Sequence, residues 1–187
     1  MQTTVSILMA HAYRVAPALI LALTLGGCAI KPPEGIEPVR PFAVQPYLGT
    51  WYEIARLDHS FERGMTHVSA EYRLNDDGSL KVINRGYNPE KQAWNEAKGH
   101  ALFTGAVDQG ALKVSFFGPF YGGYFVTDLD KDYRWSLVVG PNRDYFWILA
   151  RESHIADALK AELIAKAQAI GIDTTKLIWV NQTQPAP

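Results

Sequence analysis

The chain has one cysteine among its 187 residues, Cys28. A lone cysteine excludes an internal disulfide framework, so an exported domain of this size would have to stand on its hydrophobic core. Charge is sparse in pattern too. Lys and Arg number 18 against 19 Asp and Glu, a formal net charge of −1, with no basic stripe and no block of one sign. This excludes nucleic acid as a partner, together with electrostatic capture by anionic lipid surfaces. The Gly-x-Ser-x-Gly elbow of lipid hydrolases is missing, as are a phosphate loop, a dinucleotide fingerprint and a haem attachment motif. His59, His67, His100 and His154 lack the close spacing of a metal site, and isolated histidines are more often surface or satisfied core groups. The chain is therefore expected to be no enzyme and to hold neither metal nor cofactor.

The one long apolar run, Val15 to Leu25, is too short to span a bilayer. It follows Arg14 and precedes small residues, so residues 1–27 read as a secretory signal peptide. The junction Leu25-Gly26-Gly27-Cys28 resembles the lipobox of bacterial lipoproteins, in which cleavage precedes a diacylated cysteine. The other reading is an ordinary signal peptide cut nearby, with Cys28 incidental. Several acyl chains on one cysteine would hold firmly where a single chain anchors only marginally. Pro32, Pro33, Gly35, Pro38 and Pro41 make residues 28–44 a lipid-anchored, Pro-rich linker that is expected neither to form a helix nor to pair. Removing 27 residues leaves 160, enough for one domain over residues 45–187.

From Thr50 to Val139 the pattern is strand, turn, strand with period-two alternation. Expected strands run from Trp51 to Leu57, Val68 to Leu74, Leu80 to Tyr87, Ala93 to Thr104, Ala111 to Phe117, Tyr121 to Asp128, Tyr133 to Val139 and Tyr145 to Arg151. Asn75-Asp76-Asp77-Gly78 is a hairpin turn, because Asn, Asp and Gly tolerate positive φ. Ser153 is the expected N-cap of a helix carrying Ile155, Leu159, Leu163, Ile164 and Ala167 at helical spacing, ended by Gly171. Leu177 to Val180 closes the pattern as a short strand. The fold class is all-β: an eight-stranded antiparallel up-and-down barrel with a C-terminal helix packed outside and a short final strand. Eight strands leave an interior wide enough for one small ligand. An open sandwich is the runner-up, without the long crossover of a Greek key to support it.

Trp51 starts the first strand and Arg151 ends the eighth, so the two can stack and plug one end, leaving a cup. Alternation turns Glu53 and Ala55 inward with Trp51, and Tyr145, Trp147 and Leu149 inward with Arg151. Gly86 then leaves lumen space. Candidate ligand contacts are Tyr72, Val82, Asn84, Tyr124, Tyr145, Trp147 and Leu149, each of which could instead be plain barrel filling. The wall is suited to a long apolar chain with a polar head. An inward Glu53 needs a partner, with Arg56, Arg85 and Arg143 all available. Five aromatics lie between Phe116 and Tyr124, and this stretch reads either as a mouth that touches membrane or a second copy of the chain, or as a local cluster folded over the barrel.

Gly49-Thr50-Trp51-Tyr52, Thr127-Asp128 with Tyr133, and Arg151 occur in the order of the three conserved regions of lipocalins, and the chain resembles that family. Longer stretches, Thr50 to Phe61, Asn84 to Pro89, Ala111 to Tyr124 and Arg143 to Arg151, resemble its bacterial outer-membrane lipoprotein members. Leu129 departs from the usual Thr-Asp-Tyr, and a slightly longer turn separates it from Tyr133. The resemblance implies structural roles for Gly49, Trp51, Thr127, Asp128 and Arg151, with a ligand carboxylate as the alternative partner of Arg151. It implies lipid attachment at Cys28, with Ala29 and Ile30 favouring the outer membrane, facing the periplasm. It further implies a lipid partner, a fatty acid or lysophospholipid, bound for storage or transport during envelope stress. Three alternatives stay open: an interaction module presenting the aromatic loop, with homodimerisation among its outcomes, turnover of a lysophospholipid, and tetrapyrrole binding.

Overall fold

The computed structural model describes residues 30–183. The signal peptide and Cys28 lie outside the described residues. Helix α1 (Val44–Tyr47) leads into eight strands, β1 (Gly49–Arg56), β2 (Thr66–Leu74), β3 (Leu80–Asn88), β4 (Ala93–Phe103), β5 (Ala111–Phe117), β6 (Phe120–Leu129), β7 (Trp135–Val139) and β8 (Phe146–Ala150). Helix α2 (Asp157–Ala169), a 3₁₀ turn (Thr174–Lys176) and β9 (Ile178–Trp179) follow. Each strand pairs antiparallel with the next, and β1 pairs with both β2 and β8, which closes the barrel; β9 adds to β1 from outside. Closure removes the exposed edges that an open sandwich would leave.

Two apolar clusters divide the strands by face. Trp51, Tyr72, Leu80, Val82, Leu112, Val126, Val138 and Leu149 point into the lumen. Ile54, Ala55, Leu137, Val139, Phe146, Ile148 and Ala150 point outward beneath α2, where Leu163 and Ala167 are fully buried. Burying a leucine such as Leu163 stabilises by about 1.5–3 kcal/mol, which is what holds the helix on the barrel. Lys166 of α2 donates to Asp128 at 2.9 Å and fixes its rotation.

Because β1 starts beside the Trp51 plug and neighbours alternate in direction, the connections after β1, β3, β5 and β7 surround the open mouth. Those after β2, β4 and β6 lie at the closed end.

Four expectations need correction. Ala55 faces out, because β1 carries a bulge between Glu53 and Ala55 that reverses the phase. Ser153 does not cap α2: its hydroxyl meets His154 Nδ1, and the extended N-cap residue is Ala156, with Asp157 favourably placed in the first turn. Tyr133 belongs to the β6–β7 turn, with φ of 58°, so β7 starts at Trp135. The proline-rich segment does pair: Val39 N–H donates to Val126 O, Gly110 N–H to Val39 O and Phe42 N–H to Asp108 O. Proline lacks only its own donor, so the residues between prolines remain free to bond. Ile36 and Phe42 are buried, which gives the segment an apolar reason to dock.

Candidate ligand-binding site

The plug is built from four elements. The Arg151 guanidinium lies 3.9 Å from the centre of the Trp51 ring. Its Nη1 donates to Thr50 O at 2.7 Å, its Nη2 to Pro46 O and Leu48 O, and its Nε to Tyr133 O. Trp51 Nε1 donates to Tyr47 O at 2.8 Å. Four of the five guanidinium N–H donors, and the single Trp51 N–H, are spent on the protein's own backbone, which supports a structural role for Arg151 at the closed end. Gly49 takes φ of 89°, left-handed backbone that glycine adopts without strain and that brings the chain beneath Arg151. Thr127 Oγ1 donates to Leu137 O at 3.3 Å and joins β6 to β7.

Above the plug lies a layer of hydroxyls. Tyr124 meets Tyr47 at 2.7 Å and Tyr72 at 2.9 Å, and Tyr47 also reaches Ser136. Burial pushes the Tyr47 hydroxyl up to about 12 and holds Tyr72 and Tyr124 well above the usual phenol range, so all three are neutral. Tyr47 and Ser136 escaped sequence reading: Tyr47 precedes the first strand, and only the fold lays it across the lumen.

Over this floor is a cavity of about 320 Å³ that opens at the mouth. Tyr72, Val82, Asn84, Tyr124, Tyr145, Trp147 and Leu149 all line it. Gly122 lines it as well, with open space where a side chain would stand. Gly86 lies on the wall of an adjoining compartment with Met65 beside it, where an added Cβ would meet Met65 Sδ at 2.9 Å. A second compartment of about 370 Å³ adjoins towards β3 and β4 and shares Phe61, Glu62, Val68, Asn84 and Phe116. The amide oxygen of Asn84 is buried without a partner on a wall common to both.

One side of the mouth is polar beneath an aromatic cover. Arg56 donates to Glu53 Oε1 at 2.6 Å, and through Nη2 to Glu62 O at 2.8 Å and Met65 O at 3.3 Å, so it ties the β1–β2 loop to the wall. Of the three arginines open to Glu53 in sequence, the structure therefore selects Arg56. Glu62 accepts from Trp147 Nε1 at 3.2 Å and lines the cavity beside Glu53. Burial raises both carboxyls above the usual range, and each acts on the other. His59 stacks on Phe61 with centres 4.0 Å apart, and burial followed by the Arg56 charge pushes its imidazole down to about 4. Glu62, His59 and Phe61 went unrecognised in the sequence because they sit in a loop with no periodicity.

Residues 42–182 match the family model described as Lipocalin-like domain. The chain belongs to the lipocalin family. This lipocalin is 54% identical over 168 residues to outer membrane lipoprotein Blc of Escherichia coli K12, covering 90% of this chain and 95% of that one. It is 47% identical to the protein of the same name from Vibrio cholerae, covering 88% and 96%. Among solved structures, insecticyanin of the tobacco hornworm Manduca sexta superposes with a TM-score of 0.64 at 20% identity, covering 81% of this lipocalin and 86% of insecticyanin, which shows the shared fold. The names of the bacterial relatives agree with an outer-membrane address. Members of the family bind small hydrophobic ligands, and the open lumen suits that role.

Proposed function

We propose that this lipocalin is a carrier of single-tailed lipids, fatty acids or lysophospholipids, tethered to the outer membrane through acylated Cys28 after removal of residues 1–27. The observation that carries the reading is the unfilled lumen: apolar from Val82, Leu149 and Val114 down to the tyrosine floor, closed by Trp51, and polar near the mouth at Glu53, Glu62 and Asn84. An acyl chain gains about 0.8 kcal/mol per buried methylene, so about ten methylenes supply the gross energy for micromolar binding, before ordering costs are subtracted. Storage or transport of lipids for envelope maintenance under stress is the role that fits such a tethered cup. An open lumen argues against a filled barrel serving only as an interaction module. For turnover, Glu53 is the weak candidate, since its carboxylate is already committed to Arg56. Among the described residues no group of three or more His, Cys, Asp or Glu side chains is arranged to hold a metal ion.

Mass spectrometry of lipid extracted from the natively purified, processed protein tests this directly. Single-tailed lipid in near-stoichiometric amount is the expected result. Failure to retain lipid, combined with failure to displace a fluorescent fatty acid, would remove the carrier reading.

A further inference from the structure

The segment ahead of α1 climbs the outer wall of the barrel towards the mouth. Val39 exchanges backbone hydrogen bonds with Val126 and Gly110, low on the barrel. Upstream, Arg143, in the mouth connection between β7 and β8, donates through Nη2 to Glu34 O at 2.7 Å. Further upstream Ile30 packs beside Gly123, where an added Cβ would stand 3.4 Å from its Cγ2. Gly123 is three residues from Phe120 at the tip of the β5–β6 hairpin, roughly 10 Å along the strand. Cys28 precedes Ile30 by two residues, a reach of at most about 7 Å. A tether that short leaves the barrel beside its mouth, with no length to let the closed end turn to the anchor.

The same rim carries exposed rings. Phe117 and Phe120, flanking the Gly118-Pro119 tip, are 81% and 77% exposed. Phe61 on the β1–β2 loop is 54% exposed and Trp94 beside the β3–β4 turn 52%. Three of the four mouth connections thus present aromatic side chains, the residues that settle at a membrane interface. Phe61 is both exposed and part of the cavity wall, and Phe116, next to Phe117, lines the cavity too. An apolar path therefore runs from the outer rings into the lumen.

We propose that the barrel mouth docks onto the bilayer that holds acylated Cys28, with Phe117 and Phe120 entering its interfacial layer, so that lipid passes between leaflet and lumen without crossing water. This rests on the proposed acylation of Cys28. With a near-neutral chain, the contact is carried by rings rather than by attraction to anionic headgroups.

The full-length acylated protein in vesicles of phosphatidylethanolamine and phosphatidylglycerol tests the orientation. Nitroxide labels at Phe120→Cys and, at the closed end, Val107→Cys are compared for collision with lipid-soluble oxygen and with an aqueous nickel chelate; Phe117→Cys serves if Phe120→Cys does not fold. The rim label is expected in lipid and the Val107 label in water. Phe120→Ser should slow transfer of a fluorescent lysophospholipid from vesicle to lumen about tenfold, with affinity for the monomeric ligand unchanged. A rim label in water on vesicle-bound protein, or unaltered transfer, overturns the proposal. So does sedimentation showing that Phe120→Ser splits a dimer, since a second copy would then cover the rings. Loss of the acyl mass at Cys28, with protein free of the vesicles, overturns the tether itself and is read separately.

Discussion

Glu53 and Arg56 are three residues apart on one strand, yet both side chains meet inside the lumen at 2.6 Å. In a regular strand such residues face opposite sides; the extra residue at the bulge restores them to one face. The pair is buried, so its attraction mainly offsets the desolvation of the two charges.

Removing one partner should therefore harm more than removing both. Arg56→Ala is expected to lower unfolding free energy by about 3–5 kcal/mol in urea titrations, because it leaves a buried carboxylate and frees the β1–β2 loop. Glu53→Leu combined with Arg56→Met should recover most of that loss. Equal damage from the double variant would show that the pair contributes net stability.

His59 sets a pH limit. Its imidazole is neutral in the fold at about 4, below the usual 6.5, so the unfolded chain binds the extra proton and stability falls as pH drops from about 6.5 towards 4. Between pH 7 and 5 the wild type should lose about 2 kcal/mol more than His59→Gln, read as the difference between paired urea titrations so that groups common to both cancel. The raised carboxyls of Glu53 and Glu62 act in the opposite sense: their contribution is present below about 4.5 and fades as pH rises through their folded values.

Two neighbouring glycines separate binding from stability. Gly122 faces open lumen, so Gly122→Leu should weaken binding of a long-chain fluorescent fatty acid about tenfold or more while leaving the melting temperature near wild type. At Gly123 an added Cβ would meet the Phe125 ring at 2.5 Å, so Gly123→Leu should destabilise by about 1–3 kcal/mol. Calorimetry of both variants with and without ligand distinguishes the two effects.

Arg151→Ala removes the stacked cation and four donors to backbone carbonyls. A loss of about 2–4 kcal/mol in stability is expected, with ligand affinity changed less than threefold. A large fall in affinity for fatty acid alone, at unchanged stability, would instead place Arg151 at the ligand.

The chain itself determined the barrel, since period-two alternation and turn residues act over a few positions and are visible without the fold. Trp51, Arg151 and the wall from Tyr72 to Leu149 were legible for that reason. Only tertiary structure decided the rest. The bulge in β1, which turns Ala55 out and Arg56 in, is set by pairing with β8. Gly86 meets Met65, a residue from outside its own strand. Tyr47 reaches Tyr124 across 77 positions, and the proline-rich segment lies on the barrel because Ile36 and Phe42 find apolar cover there. Local periodicity specifies which residues can face inward; the side chain that meets each of them comes from elsewhere in the chain, and closure of the barrel brings it there.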